Sequence, residues 1–91
     1  MVTSVKMTDQ KMGKRRFVVE LHAECGEIFE PSTIADRIEA WGTIYDVERV
    51  RIARGDNFAR LYVTTSDLAM DSIHLKKGIQ SIHEQIKILK K

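Results

Sequence analysis

An α+β domain is predicted, with an antiparallel sheet, two helices on one of its faces and the element order βαββαβ. Three observations predict it. Residues 16–24 and 58–65 alternate apolar and polar side chains with the period of a half-buried strand. Residues 31–42 carry an apolar stripe at spacings of four and three. The stretch Gly55, Asp56, Asn57 has the composition of a tight turn between two strand-like segments.

Residues 1–13 hold Thr, Ser, Asp, Gln and Lys without a sustained period, so 1–15 is expected to be a flexible leader before one domain over 16–91. In RFVVELHAE, residues 16–24, Phe17, Val19, Leu21 and Ala23 share one face, and Val18, Glu20, His22 and Glu24 share the other. Residues 25–31 form a loop, and Pro31 suits a first helical turn, where its missing N–H costs nothing. Ile34, Ile38 and Trp41 make the stripe, and Gly42 is the expected stop. In TIYDVERVRIA the alternation changes phase near Glu48 and Arg49, which predicts a β-bulge that keeps both halves facing inward. FARLYVTT then sets Ala59, Leu61 and Val63 against Phe58, Arg60 and Tyr62, so 43–65 reads as a hairpin.

Ser66 or Asp67 is the expected cap of the second helix. Leu68, Ser72, Leu75, Ile79, Ile82 and Ile86 keep helical spacing, but Gly78 is a common stop. The expectation is a helix over 67–81 and a fourth strand over 85–89, with one continuous helix as the alternative. This order is the ferredoxin-like arrangement, with 16–24 and 58–65 as central neighbours. Its second sheet face is uncovered. Glu20, His22 and Glu24 would point out there, together with Phe58, Arg60, Tyr62, Asp46 and Arg49 or Arg51.

Ninety-one residues make one domain, and 43% hydrophobic with 31% charged residues is globular composition. No apolar run is long enough to span a membrane, and no secretory signal is evident. One cysteine, Cys25, closes no internal disulfide and suits a reducing, cytoplasmic setting. Net charge is +2, too small by itself to argue for nucleic acid, although KMGKRR and ILKK cluster basic residues at both ends.

The five glycines are dispersed, so no phosphate loop exists. His22, Cys25, His74 and His83 lack the spacing of a zinc site. Cys25 with His22 lacks an orienting acid and an oxyanion hole. The expectation is a non-catalytic binding or regulatory module with no metal and no cofactor. It would use Phe58, Arg60, Tyr62, Glu20 and His22 on the open face to self-associate as a homodimer and to bind a protein partner or a small metabolite.

RGDNFARLYV resembles the third strand of RNA-recognition motifs at Arg54, Gly55, Phe58 and Ala59, with Tyr62 further along. That resemblance implies the alternative of single-stranded RNA or DNA binding, aided by Lys14, Arg15 and Arg16. A small stand-alone inhibitor or adaptor, of viral origin for example, is a third class. The element order and GDNFARLYVTTSD also resemble the ferredoxin-like regulatory modules of the ACT and NIL types. They are similar as well to the small N-terminal domain of lysine-oxoglutarate reductase/saccharopine dehydrogenase-related proteins. This resemblance implies a module that dimerises and binds a metabolite or docks on an enzyme, with Gly26 in a candidate ligand loop.

Overall fold

The computed structural model describes residues 1–89, and of Thr43 the backbone alone. The chain runs β1 (Val2–Lys11), β2 (Lys14–His22), α1 (Pro31–Glu39), the one-turn α2 (Gly42–Tyr45), β3 (Val47–Arg54), β4 (Phe58–Thr65) and α3 (Ser72–Leu89). The strands form one antiparallel sheet in the order β1-β2-β4-β3. The predicted α+β class holds, and the predicted central neighbours are the central pair β2 and β4. The element order βαββαβ does not hold.

Two corrections account for the difference. The expected leader is an edge strand, with Val2 opposite His22 and Lys11 opposite Lys14. Its turn is Met12-Gly13, both with left-handed φ (55° and 74°), as a two-residue hairpin loop requires. The expected fourth strand over 85–89 is the last part of α3. β1 therefore occupies the sheet position, beside β2, that the terminal strand was expected to take.

Gly78 lies inside α3 and does not end it. A Cβ there would stand 2.5 Å from Cη2 of Trp41, so the glycine admits the indole against the helix. The second helix also starts later than expected. Asp67 organises a turn, accepting from the Ala69 N–H at 2.9 Å, and Asp71 caps α3 through the His74 N–H at 2.7 Å. Leu68 is consequently exposed, and Met70 takes the core place.

The core lies between the sheet and the helices. Phe17, Val19 and Leu21 of β2 and Ala59, Leu61 and Val63 of β4 meet Ile34 and Ile38 of α1 and Leu75 and Ile79 of α3, all essentially inaccessible to water. The predicted bulge is present. Val47 pairs with Thr65 and Arg49 with Thr64, leaving Glu48 as the extra residue, so Val47 and Val50 both face the core side. Thr65, fully buried, donates its hydroxyl to the Tyr45 carbonyl at 2.7 Å, which fixes the entry into β3.

Candidate functional site: the open sheet face

All helical core contacts come from one side of the sheet, and the other side carries the alternate residues of each strand. Register fixes how these residues line up across the strands. One row is Ser4, Glu20, Arg60 and Ala53; the next is Lys6, Val18, Tyr62 and Arg51; beyond the β1 and β3 bulges the row is Asp9, Arg16, Thr64 and Arg49. His22 and Phe58 sit opposite each other at the other end.

The face has two halves of different character. In the first, Glu20 accepts from Arg60 at 3.4 Å, the Arg60 guanidinium lies 5.5 Å from the centroid of the Phe58 ring, and His22 leans on Phe58 with ring centroids 4.9 Å apart. The neighbouring Tyr62 phenol, and after it the Glu20 carboxylate, hold Arg60 above the ordinary arginine range. This half is locally satisfied, and its charges cancel.

The second half is basic. Arg16, Arg49, Arg51, Tyr62 and Thr64 line an open recess of about 320 Å³. Arg16 reaches Asp9 at 3.5 Å, and Lys14 at the rim reaches Glu48 at 3.0 Å. Among the described residues Arg49 and Arg51 have no ion pair or side-chain hydrogen bond. Tyr62 is 42% exposed and forms the wall between these cations and Val18.

The predicted face residues Phe58, Arg60, Glu20 and His22 are thus brought together, and Tyr62 belongs to the adjoining basic half. Glu24 is not on the face. It lies in the loop after β2, 3.6 Å from the Met1 ammonium. Asp46 is not on the face either, since it ends α2 with a left-handed φ of 51°. The basic trio is split. Lys14 and Arg16 border the open side, but Arg15 pairs with Thr65 in register and donates to the Met70 carbonyl at 2.7 Å on the core side. That contact removes Arg15 from any surface shared with the other two.

Gly26 has a left-handed φ of 74°, and the turn that needs it is closed by the Glu27 N–H onto the Glu24 carbonyl at 3.0 Å. The loop borders a separate recess of about 330 Å³ with Cys25, Ile28 and Lys87. Glu27 turns inward from this loop. Its carboxylate accepts from the Met1 ammonium at 2.6 Å, from the buried His83 ring at 3.1 Å and from the Glu24 N–H at 3.1 Å. Burial pushes the Glu27 carboxyl up, but these hydrogen bonds and the nearby positive charge outweigh it and hold the group at about 2. His83, whose place in the sequence does not suit a zinc ligand, is a buried partner of this loop.

Among the described residues no group of three or more His, Cys, Asp and Glu side chains is placed to hold a metal ion. No helix of the described residues is long and apolar enough to cross a membrane. No family model, no curated protein and no solved structure matches the chain.

The sequence pattern placed Arg49 or Arg51 outward without assigning either a role. What it missed was their joint position with Arg16, which needs the strand order. A signal was available, because Arg49 and Arg51 are two apart on a strand and therefore share a face whichever face it is.

Proposed function

We propose that this chain is a non-catalytic binding module whose open sheet face takes a negatively charged partner. One observation carries the reading: among the described residues Arg49 and Arg51 have no acidic partner and stand beside Arg16 and Tyr62, while Lys14, Arg16 and Arg60 are each paired. Guanidinium groups gathered in a recess concentrate positive potential and match planar anionic groups through paired N–H donors. The small net charge of +2 is no objection, because binding depends on local clustering. Moving the last strand of a ferredoxin-like domain to its front generates the order β1-β2-β4-β3, so the finer fold reading attached to this proposal is a permuted ferredoxin-like module.

Retention on heparin-agarose tests it. The protein is expected to bind at low salt and to elute steeply as salt rises. Arg49→Gln with Arg51→Gln is expected to elute clearly earlier, and Arg15→Gln with the wild type. Passage of the wild type through the column at low salt overturns the reading.

A second reading is favoured by the Glu20–Arg60 pair. Its opposite charges lie next to the half-buried Phe58 and the exposed Tyr62, and a two-fold related copy would exchange them reciprocally. Under this reading the face closes a homodimer. Sedimentation would then depend on concentration, and Arg60→Ala with Tyr62→Ala would shift the protein to monomer.

A further inference from the structure

The partner's chemistry can be narrowed further, by an inference that rests on the anionic-partner reading above. We infer that the recess around Tyr62 is a single-stranded nucleic-acid subsite, in which one base stacks on the Tyr62 ring and adjacent phosphates lie on Arg49 and Arg51. Arg49 and Arg51 are alternate residues of one strand, so their stems rise from β3 about 7 Å apart on one face. A line of repeated anionic groups running along β3 meets both. Tyr62 is the direct cross-strand neighbour of Arg51, so a flat ring lies one strand inward of that line. Val18 continues the apolar floor on the far side of Tyr62, and Lys6 closes the row. Thr64 places a hydroxyl between Arg16 and Arg49.

A polymer that uses this arrangement carries charge along one edge and flat apolar rings along the other. Single-stranded nucleic acid has that construction, and its unstacked bases are free to meet an aromatic side chain. A duplex keeps its bases paired and offers Tyr62 nothing. An acidic peptide would satisfy the arginines and leave the ring unused. The position also differs from the one that the sequence resemblance suggests. Phe58 is occupied by His22 and by the Arg60 guanidinium, whereas Tyr62 stands 42% exposed beside Arg49 and Arg51, which have no ion pair among the described residues. The carboxylate of Glu20 does not oppose phosphate in the recess, because it is paired with Arg60 in the adjoining row.

The test is fluorescence anisotropy with a short labelled oligouridylate and its oligothymidylate counterpart over a range of salt, run beside the heparin measurement. Wild type is expected to bind with an affinity that falls linearly in log–log form with salt. Arg49→Gln with Arg51→Gln is expected to reduce that slope by about 1.4, as the loss of two single-strand phosphate contacts implies. Tyr62→Leu is expected to weaken binding about tenfold with the slope unchanged, and Tyr62→Phe to retain it. Melting curves matching the wild type establish that each variant is folded. Heparin retention without oligonucleotide binding overturns the inference and leaves the anionic-partner reading standing. Oligonucleotide binding that is indifferent to Tyr62→Leu overturns the stacking subsite. Failure to bind either polymer overturns both.

Discussion

The indole of Trp41 lies against the backbone of α3 at Gly78, so close that a methyl group in place of the glycine hydrogen would stand 2.5 Å from Cη2. The contact explains a glycine in the middle of an 18-residue helix. Helix propensity favours alanine there by about 1 kcal/mol. Overpacking against the ring costs about 1–3 kcal/mol. Gly78→Ala is therefore expected to lower stability overall, by about 1 kcal/mol. In a Trp41→Leu background the same change should become neutral or stabilising. Thermal melts of the four proteins in that cycle give the answer, and equal effects of Gly78→Ala in both backgrounds would contradict the contact.

The Glu27 cluster sets an acid limit on stability. Its carboxyl is held at about 2 in the fold, below the ordinary value of 4.5. A depressed carboxylate stabilises the fold above its unfolded pKa, and the gain is lost as pH falls from that value through the folded one. Glu27→Gln is expected to cost on the order of 2–3 kcal/mol near neutral pH. Denaturation at several pH values should show wild type and variant converging as the pH falls from about 4.5 toward 2. A gap that stays constant over that range would contradict the linkage.

Deletion of β1 separates a leader from a strand. Removing residues 1–11 strips the ladder from one side of β2 and uncovers the side of the core where Thr3 is buried. The truncated protein is expected to be largely unfolded or aggregated, since β2 becomes an unprotected edge with Phe17, Val19 and Leu21 beneath it. Circular dichroism and solubility measure this, and a native spectrum with an unchanged melt would contradict the four-stranded sheet.

Arg15 and Arg16 are adjacent in sequence and face opposite sides of the sheet. Arg15→Gln is expected to lower stability by about 1–2 kcal/mol, because the part-buried Met70 carbonyl loses its donor. Polyanion binding should be unaffected. Arg16→Gln is expected to leave stability within about 0.5 kcal/mol, its Asp9 contact being a long, partly exposed pair. It should move heparin elution to lower salt. Urea titration and heparin chromatography on both variants give a crossed pattern, and a loss of both properties in the same variant would contradict the assignment.

Period and turn chemistry in the sequence alone determined β2, α1 and the β3–β4 hairpin with its bulge at Glu48, while the central place of β2 beside β4 followed only from the ferredoxin-like arrangement taken as a template. These segments bury one face each, so their side chains must alternate or recur in step with the backbone. Tertiary structure alone decided the rest. β1 is an edge strand that buries little, Thr3 being its one buried residue, so it carries no apolar rhythm, and its Met12-Gly13 turn lacks the usual Asn-Gly signal. Gly78 reads as a helix stop until Trp41 is seen to occupy the space above it. Arg16 and Arg49 are 33 positions apart in the chain and meet across Thr64 only because β4 lies between β2 and β3. Local pattern records which way a side chain faces. Which side chains then share a recess depends on strand order, and strand order is settled by long-range pairing.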